Sequence, residues 1–338
     1  MRDPDDPIAN ELLGKAFGAE PGSVENTTPF EILSIIDANR GRGVFSQILR
    51  VALRWPPGSR PDRPSSVVIK VPAAGPNGEA GRRIGAYHRE ALAYRRFLPD
   101  SPIQSPKAHL VETDDGGGAS FVLEDLGQHR VVDQLDGLSI DDATQVTIHL
   151  ARFHRYWAKS PHLAGAGVRA NTPTTLTPEA LEAGLDALQT RWQSELDSPQ
   201  IRAFQRLVAN RAETVAAFAN TSDDGPTLCH GDPRADNLVF DAEGTPVMFD
   251  WQQIATQFGE ADLAWLAATS ITTDERREAD HDLVAAYGTT IDRYRLGFVL
   301  PGLTVLLLAQ RQANDERSWR FIATSLQRIG SALDDLAF

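Results

Sequence analysis

The stretch LCHGDPRADNLVFDAEGTPVMFDW, residues 228–251, gathers one histidine, four aspartates and one asparagine. Asp232 and Asn237 stand five apart with Pro233 between them, and Asp250 follows a turn signal at AEGT. Asp232 comes just after one short apolar run and Asp250 closes a later one. A hairpin between them would set an aspartate base beside an Asn/Asp pair. An amide oxygen and a carboxylate suit a hard divalent ion such as Mg2+, which keeps several waters and takes further oxygens from phosphates. Zinc fits poorly, because His230 has no partner at ligand spacing. Asp and Asn also form ordinary turns, so D-x-x-x-x-N alone says little. The order of loop, hairpin and second aspartate gives the pattern its weight.

A second chemical feature lies far upstream. Four lysines stand against 29 arginines, and Lys70 sits inside the apolar pattern VVIKV. A lysine there either snorkels out or meets an anion. Aiming it at an anion takes a carboxylate, and YHREALAYRRF in the next helical pattern offers Glu90, with Glu79 as a rival. The turn NRGRG, with Gly41 and Gly43, lies between two strand patterns and reads either as a cover for phosphates or as a plain hairpin. Ser46 falls where a third glycine would complete G-x-G-x-x-G, and GxxxxGK[ST] is absent. The turn amides or Ser46 would touch phosphate, with Arg40 and Arg42 beside them.

HGDPRADNLVF, MFDW and GEADLAWLA, in that order and spacing, resemble the catalytic core of the aminoglycoside phosphotransferase and choline kinase-like families. These families belong to the wider protein-kinase-like fold. The chain is similar to uncharacterised members, including the domain fused to some acyl-CoA dehydrogenases. IDANRGRGVFSQILRVAL and YHREALAYRRFL resemble the ecdysteroid-kinase-like branch. The likeness covers roughly residues 32–310.

The resemblance implies an α+β, bilobal protein-kinase-like fold with a small β-rich N-lobe and a larger helical C-lobe. It also implies ATP- and Mg2+-dependent transfer of the γ-phosphate to a hydroxyl of a small molecule. Asp232 matches the catalytic base, and Asn237 and Asp250 match the metal ligands. Lys70, held by Glu90, matches the lysine on the α and β phosphates. FVLEDLG, 121–127, matches the inter-lobe hinge, where adenine would bond the backbone near Glu124 to Leu126. Arg234 occupies the lysine position of HRDLKxxN; it offsets charge on the phosphoryl group, meets the substrate, or pairs with Asp236. His230 matches a packing position beneath the loop. Asp262 receives loop amides or is an ordinary acid at a helix start. His154 in LARFHRYW reads as a core histidine.

Phosphoryl transfer asks for an aligned hydroxyl, a charge clamp on the phosphates and a carboxylate at the attacking oxygen. An aspartate at its ordinary pKa suffices, since the proton leaves late in a loose transition state. Two alternatives remain at this stage: an aminoglycoside- or macrolide-type antibiotic kinase, and an inactive nucleotide-binding module. Loss of Lys70, Asp232, Asn237 or Asp250 would mark the latter, and all four are present. A protein acceptor is disfavoured, since no APE-like anchor follows Asp250. A Rossmann oxidoreductase is disfavoured too, since no G-x-G-x-x-G follows the first strand.

The elements that must position these residues follow from periodicity. Residues 1–31 read as an N-terminal extension with a short helix near IANELLGKAF, 32–127 as the nucleotide-binding N-lobe, and 128–338 as the C-lobe. Strands are expected in ILSIIDA, VFSQILRVALRW, SSVVIKVP, HLVETD and SFVLEDL, with one helix over 79–98. Helices then dominate, at 141–157, through PEALEAGLDALQTRWQSEL and PQIRAFQRLVANRAETVAAFA, and at 260–270, 274–287, 291–310 and 314–336. Trp157, Trp192, Trp251, Trp265 and Trp319 are expected to wall the acceptor pocket.

A net charge of -13 argues against nucleic-acid and anionic-membrane partners. Cys229, the single cysteine, rules out an intramolecular disulfide and reads as a buried strand residue. The longest apolar run, 296–309, holds a proline and is too short to span a bilayer. A cytoplasmic monomer or homodimer is expected.

Overall fold

The computed structural model describes residues 6–18, 29–38, 45–158, 160–163, 168, 176–220, 225–313 and 315–336. The chain divides into two compact units. The first holds residues 1–100, 105–129 and 249–252, and the second holds 101–104, 130–248 and 253–338.

In the first unit α1 (Pro7–Phe17) starts at Asp6, whose carboxylate accepts the amides of Ile8 and Ala9, with Pro7 in the first turn. Five antiparallel strands follow: β1 (Glu31–Asp37), β2 (Ser46–Arg54), β3 (Ser66–Pro72) and, after two helices, β4 (Ala108–Thr113) and β5 (Ala119–Glu124). Their order is β1-β2-β3-β5-β4, so β3 is central. Alternation puts Leu49, Val51, Leu53, Val67, Ile69 and Val122 into one core, and Ala9, Leu12, Leu13 and Phe17 of α1 pack into it. Residues expected to form an extension thus supply a helix to this core. Lys70 lies between Ile48 of β2 and Phe121 of β5.

The single helix expected over 79–98 is three segments: α2 (Pro76–Arg83), α3 (Ala86–Leu92) and a π-helical turn, Ala93–Phe97. Gly85, at φ 71, takes the left-handed conformation that ends α2 and opens α3.

The second unit opens with β6 (Arg130–Val131) and α4 (Ile140–Trp157), then α5 (Pro178–Thr190), α6 (Ser198–Ala209) and α7 (Arg211–Asn220). Three short strands come next: β7 (Thr227–Cys229), β8 (Leu238–Phe240) and β9 (Pro246–Met248). β8 and β9 form the expected antiparallel hairpin, and β10 (Ala255–Gln257) pairs with β7. The remainder is α8 (Glu260–Ser270), α9 (Thr273–Tyr287), α10 (Ile291–Gly297), α11 (Val299–Ala309) and α12 (Glu316–Asp335). The helix expected over 291–310 breaks at Phe298, because Pro301 has no N–H to continue the ladder. No described helix is long and apolar enough to cross a membrane.

Candidate active site

Two clusters of side chains hold the residues singled out by sequence, one in each unit.

The first unit's cluster is an ion triad. Lys70 Nζ donates to Glu90 Oε1 and to Asp250 Oδ1, each at 2.8 Å. The sheet dictates this: Lys70 is on the central strand, opposite in phase to the core residues Ile69 and Val71, and is 6% exposed. Burial alone would pull the ammonium down, but Asp250 and then Glu90 outweigh it and the net direction is up. Two carboxylates share one cation, so one negative charge is left over. It weighs most on Glu90, which is fully enclosed: burial, relieved in part by Lys70 and worsened by Asp250, pushes it up to about 7.

Asp250 is the one described non-glycine residue with positive φ, at 63°. Aspartate tolerates that region better than most residues, and such strain gathers at functional positions. The fully buried Trp251 follows it and anchors the turn. Gln252 locks the turn to the sheet: its Nε2 donates to Ser46 Oγ at 3.0 Å, and its carbonyl accepts Arg89 Nε at 2.8 Å. Ser46 therefore stands buried at the start of β2, tied to Gln252. Gly41 and Gly43, with Arg40 and Arg42, lie outside the described residues. At the expected hinge, the Glu124 amide donates to Lys107 O and the Leu126 carbonyl accepts the His129 amide. The exposed Glu124 carboxylate accepts the Lys107 amide.

The second unit's cluster is built on the loop from His230 to Asn237. Gly231 has φ 84, and a Cβ there would collide with the carbonyl of Gln253, so only glycine fits. The His230 and Gly231 amides donate to Asp262 Oδ2 and Oδ1 at 2.7 and 3.0 Å. The Asp232 amide donates to His230 Nδ1 at 3.2 Å, and His230 is fully buried. Ala235 N donates to Ser270 Oγ at the end of α8.

Asp232 is held from three sides. Trp265 Nε1 donates to its Oδ1 at 2.8 Å, and Asn237 Nδ2 and Arg234 Nε donate to its Oδ2 at 3.0 and 3.1 Å. Asn237 Nδ2 also donates to the Asp232 carbonyl, so the amide's nitrogen fastens the loop and Oδ1 is the atom that could hold a cation. Arg234 further reaches Gln134 Oε1 at 3.0 Å and Asp236 Oδ2 at 3.4 Å, with its guanidinium 5.7 Å from the Phe321 ring centre. Of its sequence-level readings, the pairing with Asp236 is present, and a pairing with Asp232 is added.

Trp265, Gln134, Gln252 and Ser270 were not foreseen in these roles. Trp265 had a signal: it stands three residues beyond Asp262 on α8, so both face the loop. The other tryptophans need correcting. Trp192 and Trp251 are fully buried and Trp157 is 4% exposed, so they are core, because their large apolar rings gain most by leaving water. Trp319 packs on Trp192, ring centres 4.2 Å apart.

Residues 60–296, more than half of the chain, match the phosphotransferase enzyme family, and the chain belongs to that family. A search of curated proteins finds no match. Among solved structures the chain is similar to amicoumacin kinase hAmiN in complex with AMP-PNP, Ca2+ and Ami, at 14% identity, over 98% of this chain and 94% of that one, with a TM-score of 0.59. It is similar to the microcompartment-associated aminopropanol kinase at 15% identity, over 96% and 95%, TM-score 0.58. It is similar to wild-type aminoglycoside 2'-phosphotransferase-IIIa in its GDP complex at 13% identity, over 98% and 99%, TM-score 0.59. At such identities the likeness shows the fold, an α+β protein-kinase-like one.

Proposed function

We propose that the protein transfers the γ-phosphoryl group of ATP, with Mg2+, to a hydroxyl of a small molecule. The observation that carries this is the shell of three donors on Asp232. The shell fixes the carboxylate's orientation on a loop that only glycine at 231 permits, as a base that must meet an aligned hydroxyl requires.

In this reading Asp232 orients the acceptor hydroxyl and takes its proton as the acceptor oxygen bonds to the γ-phosphorus. The bond from that phosphorus to the β–γ bridging oxygen breaks, and ADP leaves. Lys70, aimed by Glu90, meets the α and β phosphates. Gly41, Gly43 and Ser46 belong to the phosphate cover, and the Glu124–Leu126 backbone to the adenine edge. Asn237 Oδ1 and the one-third-exposed Asp250 carboxylate would hold the ion; all-oxygen donors suit Mg2+. Bound there, the ion would neutralise charge on the phosphates. Arg234 sits against the base and is released to phosphoryl group or acceptor as Asp232 engages the hydroxyl. The division into N-lobe, 32–127, and C-lobe, 128–338, is the arrangement this chemistry uses. The named relatives act on amicoumacin, aminopropanol and aminoglycosides, so amino alcohols and antibiotics belong with sugars, sterols and macrolides among the acceptors to try.

The test is a thermal shift with Mg-ATP on wild type and Lys70→Met, followed by ADP release over that acceptor panel. A shift of several degrees that is lost in Lys70→Met, with turnover on one acceptor class, is expected. No shift in wild type at any nucleotide concentration would end the proposal.

A further inference from the structure

Asp262 does more than receive two loop amides. Its Oδ2 also meets His154 Nε2 at 3.2 Å, and His154 Nδ1 meets Tyr287 Oη at 2.6 Å. The three side chains come from α8, α4 and α9, all of the second unit, and are 1%, 4% and 7% exposed. The direction of every hydrogen bond follows from what each group can do. A carboxylate has no proton to give, so His154 Nε2 carries the hydrogen. In the tautomer that carries its hydrogen at Nε2, Nδ1 offers a lone pair and the Tyr287 hydroxyl donates to it. Burial first, then the charges of Glu260 and Asp262, push the Tyr287 phenol well up, so it keeps that proton.

Two further observations show the chain is built rather than incidental. The His154 carbonyl accepts Thr227 Oγ1 at 2.6 Å, which fastens the ring's own helix to β7, the strand that runs into the loop. Gly259, at the start of α8, has φ -62 and no conformational need to be glycine. A Cβ there would collide with Tyr287 Oη and stand 2.9 Å from His154 Nδ1. The residue is small to leave the pair room. Cys229 brings a third ligand type near His154 and Asp262, all within 4.8 Å. Burial, then the Asp262 and Glu260 charges, drive its thiol well up, away from the thiolate a metal needs, and both His154 nitrogens are already bonded.

We propose that Tyr287 and His154 are positioning residues: they orient Asp262, and through it the His230 and Gly231 amides that set Asp232. The link to catalysis rests on the reading of Asp232 as the base; the link to the loop does not. The test is amide hydrogen exchange on the whole protein, comparing His230 and Gly231 with the amides of α11 and α12. Tyr287→Phe, His154→Leu and Gly259→Ala should each speed exchange at the two loop amides about tenfold or more, with α11 and α12 unmoved. His154→Gln, which keeps an N–H toward Asp262, should stay within about threefold of wild type.

With Mg-ATP and a productive acceptor, Tyr287→Phe should lower kcat about tenfold and leave the KM for nucleotide within about twofold. Equal acceleration everywhere, or none at the loop, would overturn the proposal, since a merely structural role gives one or the other. If His154→Leu fails to fold, Tyr287→Phe, which removes a single hydroxyl, decides the matter. Absence of turnover in wild type would sink the kinase reading, while the exchange result would still judge the relay.

Discussion

Three donors converge on the Asp232 carboxylate, and they divide the work. Asn237 ties its carboxylate to its own backbone, Arg234 supplies the local positive charge, and Trp265 fixes the rotamer from the opposite oxygen. Replacing Asp232 by Asn keeps the shape and removes the proposed base, so turnover should fall about 10²- to 10⁴-fold with Mg-ATP affinity retained. Trp265→Phe removes the indole N–H together with the pyrrole part of the ring, in a side chain that is only partly buried. We expect about a tenfold loss in kcat, read by steady-state kinetics, with a midpoint of denaturation close to wild type; an unchanged kcat would show the indole to be packing only.

Glu90 gives a pH signature. Its folded-state value of about 7 lies above the ordinary 4.5. Below pH 4.5 the folded and unfolded chains both carry the proton, and above 7 the folded chain alone must hold a costly charge. Stability contributed at this position therefore falls as pH rises from 4.5 to 7. Denaturant unfolding at about pH 5 and pH 8 should show Glu90→Gln gaining on wild type by a few kcal/mol over that span. A pH-independent difference would mean that Lys70 holds Glu90 ionised throughout.

At the scale of elements, the positions of Lys70 and Asp232 were legible because each sits in a strongly patterned segment. VVIKV alternates around one misplaced lysine, and the loop between β7 and β8 is bounded by apolar runs and a glycine turn. Helix boundaries were less legible. Gly85 lies inside a helical pattern, and the left-handed φ that breaks it is not marked by the periodicity around it. The π turn that follows Glu90 leaves no mark in periodicity at all. Trp265 was misread for a related reason: composition cannot tell a tryptophan that walls a pocket from one that donates a single hydrogen bond. Gly231→Ala tests the loop as an element. Its φ and the crowding of Gln253 O should cost activity at least tenfold and lower the midpoint of unfolding, whereas Gly244→Ala, where a Cβ meets nothing within 4 Å though φ is 80, should leave activity alone.

For the whole molecule, a single cysteine excluded an intramolecular disulfide, and the order of motifs pointed to the family. It missed the part played by the first residues. Leu12, Leu13 and Phe17 are buried in the core of the sheet, with α1 packed on β4 and β5, and Phe17 stacks edge-on to Trp55 at 5.5 Å, a contact joining positions 38 apart in sequence and invisible to local pattern. Leu13→Ala should cost about 2–5 kcal/mol in denaturant unfolding; a loss under about 0.5 kcal/mol, ordinary for a surface site, would show α1 to be a dispensable appendage.

The central claim concerns chemistry, and one measurement reaches it most directly: formation of the phosphorylated acceptor and ADP from Mg-ATP, followed together by phosphorus NMR, for wild type and Asp232→Asn matched for nucleotide occupancy. One phosphomonoester per ADP in wild type, with both signals reduced at least a hundredfold in the variant, is the expected result. Equal product from the two proteins would contradict the account, because Asp232 would then hold the loop without serving the reaction.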